Sequence, residues 1–301
     1  MKVNLKQLTT EQRNPHTFSL DQMSIRECLE IMNEEDCQVP LCVKKEIEHI
    51  EIAIQHIISA LQRGGRLIYI GSGTSGRLGG VLDAVECPPT FSTTYEVQGL
   101  IAGGETAFVK AQEGVEDSFD QGQKDIAHAH VTDKDVVVGI AASGRTPHTL
   151  GALTKAKDLG AYTVAVACNH QSAIGKIADI AIEVETGPEV ITGSTRLKAG
   201  TAQKLVLNML STVSMIGIGK TYQNLMVDLH ASNEKLIERS IQMIMEACEC
   251  DYESARDVFL KSEQKPKYAI VMKLLNCNIE EAKRRLLENK SFVYKAINEK
   301  S

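Results

Sequence analysis

Short apolar runs alternate with helix-like segments along the middle of this chain, and this alternation restricts the fold more than any other feature of the sequence. The runs are rich in β-branched residues, are bounded by turn residues, and lie at residues 66–70, 135–141, 161–168 and 179–184. A helix is predicted from Pro147 to Leu159, with proline in its first turn and Gly160 after its end. Such alternation is typical of a mainly parallel sheet with helices on both faces. We therefore predict a doubly wound α/β fold whose ligands bind outside the carboxyl ends of the strands.

Helices are predicted on both sides of this region. Two helices are expected within residues 24–62, and the chain after Gly200 has an almost continuous helical pattern without further strand signals. Three short amphipathic segments indicate a small C-terminal helical bundle, at Tyr252 to Leu260, Tyr268 to Leu275 and Ile279 to Leu287. The predicted division is a domain of residues 1–240, which includes the N-terminal helices, and a bundle of residues 241–301.

Composition and charge narrow the range of functions. The chain has 33 basic and 39 acidic residues, a formal net charge of −6 and 4% aromatic residues, so it lacks the basic surface that nucleic acid requires. It has neither an apolar run of about 20 residues, which a bilayer crossing needs, nor a hydrophobic N-terminal signal. The eight cysteines show no framework or metal-site spacing and are expected to remain thiols. These features predict a cytoplasmic protein without a nucleic acid, membrane or metal partner.

A glycine- and hydroxyl-rich turn, GSGTSG at residues 71–76, directly follows the first predicted strand and precedes a predicted helix. Glycine allows backbone N–H groups to approach a phosphate closely, and the N-terminus of a helix favours anions. Hydroxyl groups add further hydrogen-bond donors. The residues expected to bind a phosphate here are Ser72, Gly73, Thr74, Ser75 and Gly76.

The same turn fits the G-x-G-x-x-G spacing of dinucleotide-binding folds, which also need an acidic residue about 20 positions later, at the end of a second strand. Glu96 has this offset but follows a proline- and threonine-rich stretch without a recognisable strand. A second hydroxyl-rich turn follows another predicted strand, and its candidate binding residues are Ser143, Gly144, Arg145 and Thr146. Two such turns favour a phosphate monoester on a polar small molecule. The alternative is that both are ordinary helix caps.

A third polar cluster leads into a predicted helix and contains Thr192, Ser194, Thr195 and Lys198. Arg145 and Lys198 are the nearest candidate cations for a phosphate or a carboxylate, and their alternative role is solvated surface charge. His148 and His230 are candidates for proton transfer, although a single histidine more often packs or caps.

Beyond these turns, the sequence resembles the N-acetylmuramic acid 6-phosphate etherase family of sugar isomerase (SIS) domain proteins. The segment IGSGTSGRLGG is similar to the phosphate loop of SIS domains, and further similar segments follow in family order over residues 6–301. They include LTTEQRNP, DAVECPPTF, GLIAGGETAF, EGVEDS, IAASGRTPHTLGAL, TGPEVITGSTRLKAG and NLMVDLHASNEKL. The regulatory protein of glucokinase is similar to the same family.

This resemblance implies an SIS-type fold and an enzyme that removes D-lactate from C3 of N-acetylmuramate 6-phosphate without a metal or organic cofactor. It also implies that Glu86, in DAVECPPT, donates a proton to the departing ether oxygen, and that Glu116, in EGVEDS, is the second catalytic carboxylate, expected as the base at C2. One of the two carboxyl groups must then keep its proton near neutral pH. The alternative is that both are solvated surface acids, and Glu113 is an alternative to Glu116.

Compared with the family pattern, the Gly79-Gly80 pair contains one additional residue, which would turn an α-helix by about 100° before Glu86. A straight helix from Ser75 to Glu86 would also place this carboxylate roughly 16 Å from the phosphate end, too far for a hexose phosphate. Either the glycine pair interrupts the helix or Glu86 serves the site of a partner subunit. We therefore expect a homodimer with a shared active site.

Two other functions would use the same loops. A noncatalytic sensor of the glucokinase-regulatory type would bind a sugar phosphate and use its C-terminal helices against a protein partner. An aldose–ketose isomerase would also need a base at C2. The presence of both Glu86 and Glu116 favours the etherase, and release of lactate from N-acetylmuramate 6-phosphate would distinguish it from both alternatives.

Overall fold

The computed structural model describes residues 8–87, 95–110, 112–229 and 233–298, and its contacts divide the chain into two compact units. The first comprises the described residues up to Val85 and from Tyr95 to Ser211. The second comprises Glu86, Cys87 and the described residues from Thr212 onward. The boundary predicted at residue 240 falls inside a helix, Glu234–Cys248, which belongs to the second unit over its whole length.

A five-stranded parallel sheet forms the centre of the first unit. Its strands are β1 (Leu67–Gly71), β2 (Val97–Ile101), β3 (Val136–Ile140), β4 (Tyr162–Ala167) and β5 (Ile180–Glu183), in the spatial order β2-β1-β3-β4-β5. β1 and β3 are buried at every position, as expected for strands that are covered on both faces. The strand order reverses between β1 and β3, and both strands end where Gly71 lies opposite Ile140. A ligand crevice is expected at this point.

The sequence predicts four of these strands but not β2. β2 lies at one edge of the sheet, and its sequence VQGLI is only partly buried at Gln98, Gly99 and Leu100, so it lacks the apolar pattern of an interior strand. Glu96 directly precedes β2 and therefore lies at the amino end of a strand. A ribose-binding acid would lie at the carboxyl end. The structure therefore does not support a dinucleotide-binding role for Glu96.

Helices cover both faces of the sheet, which confirms the predicted doubly wound α/β fold. The helices of the first unit are α1 (Ile25–Asp36), α2 (Val39–Lys44), α3 (Ile47–Gln62), α4 (Gly73–Arg77), α5 (Thr106–Val109), α6 (Phe119–His128), α7 (Pro147–Asp158), α8 (Ala173–Ile177) and the first part of α9 (Lys198–Gly217). On one face, Ile126 of α6 and Leu153 of α7 share a core with Ile68 of β1. On the other face lies α3, whose His56 ring stacks on Tyr162 of β4 at 3.7 Å.

The N-terminal helical region differs from its prediction in one respect. Residues 24–62 contain three helices, not two, because Val39-Pro40 starts the separate short helix α2 with proline in its first turn. Ser24 begins α1 through a capping box, in which its hydroxyl accepts from the backbone N–H of Glu27 and the Glu27 carboxylate accepts from the backbone N–H of Ser24. Short 3₁₀ turns occur at Thr9–Glu11, Pro15–Thr17, Leu20–Gln22 and Val115–Asp117.

The Gly79-Gly80 pair lies in a π-helix, Leu78–Ala84, which follows α4 directly. A π-turn accommodates one extra residue within a helix, so the helix is irregular at the glycine pair but does not end there. Neighbouring residues leave no room for side chains here. A Cβ on Gly80 would lie 2.3 Å from Phe108 Cε1, and a Cβ on Gly99 of β2 would lie 2.2 Å from Gly80 Cα. The π-helix therefore packs backbone against backbone on β2.

In its described part, the second unit contains a short antiparallel hairpin and a group of helices, namely β6 (Thr221–Tyr222), β7 (Leu225–Met226), α10 (Glu234–Cys248), α11 (Tyr252–Lys261), α12 (Pro266–Leu275), α13 (Ile279–Glu288) and α14 (Val293–Asn298). The segments α11–α13 match the three predicted amphipathic segments, and Ile244, Phe259 and Ile270 are buried in their common core. The hairpin contradicts the expectation of no strands after Gly200, because its two-residue strands carry no periodic signal. Among the described residues, no helix is both long and apolar enough to cross a bilayer.

Candidate active site

A cavity of about 460 Å³ lies in the first unit, at the carboxyl ends of β1 and β3. This is the point at which the strand order reverses, where open α/β sheets bind their ligands. Most of the residues predicted from the two turns meet there. The predicted residues that line the cavity are Ser72, Gly73, Thr74, Ser75, Glu116, Ser143, Arg145, Thr146 and Thr195. A larger cavity, of about 800 Å³, lies in the second unit.

The first turn, which connects β1 to α4, leaves very little space for side chains. A Cβ on Gly76 would lie 2.7 Å from the carbonyl oxygen of Gly71, so glycine is required where the chain turns directly from strand to helix. Ser72 is the N-cap residue of α4, and its buried hydroxyl has no hydrogen-bond partner among the residues that the structure describes. The Ser75 hydroxyl instead donates to Gln203 Oε1 at 3.0 Å. Ser72 is therefore the hydroxyl of this turn that most needs a ligand atom.

The second turn follows β3 and carries a cation. Gly144 has φ +68°, and a Cβ there would lie 2.3 Å from Ser172 Cβ, so the turn requires glycine at this position. The backbone N–H of Arg145 donates to the Ser143 hydroxyl at 3.3 Å. The guanidinium of Arg145 makes no ion pair with any side chain in the described ranges. Arg145 is thus a cation on the cavity wall that is available to an anionic ligand.

His148 has a structural position behind this turn. It is fully buried in α7, and its Nε2 lies 2.7 Å from Asp125 Oδ2 of α6. Burial opposes ionisation of Asp125, but hydrogen bonds from His148 and Gln121 hold the pKa of this carboxyl below its ordinary value. His148 does not line the cavity, so it is better placed to hold α6 against α7 than to transfer a proton to a ligand. His230, the other predicted histidine, lies outside the described residues.

The third polar cluster is only partly directed to the cavity. Thr195 lines it, Ser194 is half-buried outside the lining, and Thr192 borders a separate shallow depression near Phe18. Lys198 is buried and its ammonium group forms an ion pair with Glu35, so it is not a free cation at the cavity. Although burial opposes ionisation, hydrogen bonds from Lys198, His16 and Asn14 hold the pKa of Glu35 below its ordinary value.

Residues near the N-terminus complete the cavity, and none of them is among the predicted site residues. Leu8 and Glu11 line it because Asn169 holds the intervening residues in place. Asn169 Oδ1 accepts from the backbone N–H of Thr9 at 2.8 Å, and its amide donates to the carbonyl oxygen of Ala142 in the second turn at 3.1 Å. The carboxylate of Glu11 lies close to Gly193 in the third cluster. This arrangement adds to the cavity a carboxylate that is not among the predicted site residues.

The two predicted catalytic carboxylates have different positions. Glu116 lies in the 3₁₀ turn Val115–Asp117 and lines the cavity together with Asp117, whereas Glu113 does not. Glu86 is exposed just after the π-helix and is not among the lining residues, so its catalytic role stays a prediction. Gly76 and Gly144 are buried and contribute only to the backbone of the turns. Within the described residues, no group of three or more His, Cys, Asp and Glu side chains is arranged to hold a metal ion.

Family comparisons agree with this architecture. Three family models match the chain: the glucokinase regulatory protein N-terminal SIS domain over residues 49–157, the SIS domain over residues 108–213, and the C-terminal lid domain of glucokinase regulatory protein over residues 223–268. A phosphoheptose isomerase from Francisella tularensis has a similar fold, with a TM-score of 0.52, 19% identity, and coverage of 64% of this chain and 100% of that chain.

Full-length relatives are much more similar in sequence. The chain is 56% identical over 297 residues to N-acetylmuramic acid 6-phosphate etherase 2 of Lactiplantibacillus plantarum, which covers 98% of this chain and 100% of the relative. It is 58% identical over 292 residues to N-acetylmuramic acid 6-phosphate etherase of Oceanobacillus iheyensis, which covers 97% of this chain and 99% of the relative. With this identity over nearly the whole length of both chains, the protein belongs to the N-acetylmuramic acid 6-phosphate etherase family of SIS-domain proteins.

Proposed function

We propose that the protein is a carbon–oxygen lyase that cleaves the D-lactyl ether of N-acetylmuramic acid 6-phosphate in amino sugar catabolism and cell-wall recycling. The observation that carries the proposal is the meeting of two hydroxyl-rich turns, Arg145 and Glu116 around one cavity in a member of this family. The substrate presents a phosphate and a reacting carbon skeleton to these groups. The products are N-acetylglucosamine 6-phosphate and D-lactate.

The 6-phosphate is anchored by the two turns. The unpartnered hydroxyl of Ser72 and the side chain of Thr74 face the phosphate from the first turn, together with the backbone N–H of Ser75. Ser143 and Arg145 approach it from the second turn, and the guanidinium supplies the positive charge. Glu11 and Asp117, which also line the cavity, accept hydrogen bonds from sugar hydroxyl groups.

The chemistry is elimination followed by addition of water. The aldehyde at C1 of the open-chain sugar acidifies the C2 proton, and Glu116 removes this proton as general base. The electron pair forms the C2–C3 double bond, the C3–oxygen bond breaks, and Glu86 donates a proton to the departing lactate oxygen. Water then adds to C3 and a proton returns to C2, so that the same two carboxyl groups act in reverse.

A homodimer with a shared active site explains how Glu86 reaches a substrate. Glu86 does not line the cavity, and it directly follows a segment that exposes the apolar side chains of Val81, Leu82 and Val85. Exposed apolar patches are typical of protein–protein contact surfaces. A second copy of the chain that covers this segment would receive Glu86 at its own cavity. Mixing a Glu86→Gln chain with a Glu116→Gln chain then restores part of the activity, whereas a site within one chain allows no such complementation.

The proposed function is tested by incubating the protein with N-acetylmuramate 6-phosphate and measuring free lactate. Replacement of Glu116 with Gln is expected to abolish lactate release while sugar-phosphate binding persists, because the amide cannot accept the C2 proton. Glu113→Gln is the matched control, since Glu113 is an exposed acid of the same loop that does not line the cavity. Unchanged activity of Glu116→Gln would refute the assignment of the base.

A noncatalytic sugar-phosphate sensor is the second candidate function. It is supported by the matches to the SIS and lid domains of glucokinase regulatory protein. A sensor would bind the sugar phosphate in this cavity but would release no lactate. The lactate assay and a binding measurement on the same preparation therefore separate the two functions.

A further inference from the structure

A large cavity in the second unit has a strongly basic wall. It has a volume of about 800 Å³ and is bordered by the residues around the β6–β7 hairpin, the start of α12 and one side of α13. Four lysines face two carboxylates among its lining residues, which leaves a surplus of two positive charges. The charged lining residues are Lys220, Asp228, Glu263, Lys265, Lys267 and Lys283.

On one side of this cavity, two ammonium groups form ion pairs with the same carboxylate oxygen. The Nζ atoms of Lys267 and Lys220 lie 2.8 Å and 3.3 Å from Asp228 Oδ2. Lys267 is only 5% exposed, and burial lowers the pKa of its ammonium group, an effect that Asp228 opposes. Asp228 thus shares one negative charge between two ammonium groups. A second anion beside Lys267 would neutralise the buried positive charge more completely.

On the other side, two lysines make cation–π contacts with an aromatic ring. The Nζ atoms of Lys265 and Lys283 lie 5.2 Å and 5.6 Å from the centre of the Tyr268 ring. Lys283 also pairs with Glu263 at 2.5 Å, whereas Lys265 makes no ion pair within the described part of the chain. Lys265 is in addition the N-cap residue of α12, and its side chain makes no capping hydrogen bond. Backbone N–H groups at this helix end add to the attraction for an anion.

We propose that this cavity is a second anion-binding site, which takes a small molecule bearing a phosphate monoester. A phosphate monoester carries close to two negative charges near neutral pH, which matches the surplus of two lysines. The cavity is within the size range of small-molecule sites. The ring of Tyr268 offers an apolar surface to the remainder of such a ligand. The site is separate from the catalytic cavity in residues and in structural unit, and it assigns a ligand-binding role to the C-terminal bundle.

The test uses the full-length protein and amide-resolved NMR titrations with inorganic phosphate and with glucose 6-phosphate, against sodium chloride at equal ionic strength. Saturable shifts are expected at the amides of Lys267 and Tyr268, in addition to those of the catalytic cavity at Gly73. Titration to about 10 mM fills even a millimolar site. Tighter binding of glucose 6-phosphate identifies a phosphorylated metabolite as the ligand, and equal binding identifies phosphate itself.

Two variants make the result specific. Lys265→Glu is expected to weaken binding at the Lys267 and Tyr268 amides by about tenfold or more, the effect of losing one charge-assisted contact. Lys273→Glu makes the same charge change on the same helix, at an exposed lysine outside the cavity lining, and is expected to leave this binding unchanged. Shifts confined to the catalytic cavity would overturn the proposal, and so would an equal loss of affinity in both variants.

Discussion

Replacement of Gly99 with alanine tests the close contact between β2 and the π-helix. The new Cβ would lie 2.2 Å from Gly80 Cα and 3.0 Å from its backbone nitrogen. Carbon atoms in contact are normally about 3.5 Å or more apart, so an opening of roughly 1.3 Å is required. Because the opposing atoms belong to the backbone, no side-chain rotation relieves this clash. We expect a loss of about 3 kcal/mol, near the upper end for overpacked cores.

This loss has a thermal and a catalytic consequence. In a chain of 301 residues it lowers the melting temperature by roughly 5 °C, which circular dichroism or scanning calorimetry measures. Displacement of the π-helix also moves the chain just before Glu86, and a misplacement of about 1 Å reduces lactate release by roughly 10²-fold. Gly200→Ala, in helix α9, is the control, because the atoms nearest to its Cβ outside the helix, Thr195 O and Thr74 Cγ2, would both be 3.6 Å away. A Gly99→Ala protein with the wild-type melting temperature would refute the described contact.

Three further variants test charged groups. Burial opposes ionisation of Asp135, but hydrogen bonds from Arg66 and Thr132 hold the pKa of this carboxyl below its ordinary value. The stability that the ionised carboxylate contributes is therefore present at neutral pH and is lost as the pH falls below about 4. Asp135→Asn should therefore lower the free energy of unfolding, measured by urea denaturation, by about 3 kcal/mol at pH 7 and by much less at pH 3. Equal losses at the two pH values would contradict the link between ionisation of Asp135 and stability. Arg145→Met should raise the KM for N-acetylmuramate 6-phosphate by roughly 10- to 100-fold, and an unchanged KM would exclude phosphate binding by Arg145. Lys198→Met should chiefly lower the melting temperature, because it leaves Glu35 without its cation, and a loss of affinity without a loss of stability would return Lys198 to the binding site.

The fold was predictable where secondary structure has a strong local signal. β1 and β3 are short runs of apolar residues, and α7 begins with proline and ends before glycine, so periodicity and turn chemistry identify them. β2 escapes detection because an edge strand with Gln98 and Gly99 needs neither a continuous nor an alternating apolar pattern. Its identity as a strand comes from its pairing with β1, which is a long-range contact.

The candidate site was predictable to the extent that its chemistry is local. The hydroxyls and glycines of the two turns are consecutive in sequence, and both turns line the cavity. Lys198 looks like a free cation because its partner, Glu35, is 163 residues away along the chain. Glu11 lies in the family-similar segment LTTEQRNP but is not among the predicted site residues, and the hydrogen bond from Thr9 to Asn169, 160 positions away, holds its segment at the cavity. Long-range pairing therefore decides which polar residues face the ligand.

The π-helix is compatible with both the additional residue predicted at Gly79-Gly80 and a function for the residues that follow it. In an α-helix, one inserted residue would rotate every later side chain by about 100°. A π-turn takes up the extra residue within the helix, so the side chains after it keep the faces they would have without the insertion. Asp83, within the π-helix, is buried and accepts a hydrogen bond from the Ser211 hydroxyl at 2.9 Å. Deletion of one glycine of the pair should convert the segment to regular α-helix while preserving lactate release, and loss of activity in a folded deletion variant would show that the π-turn itself is required.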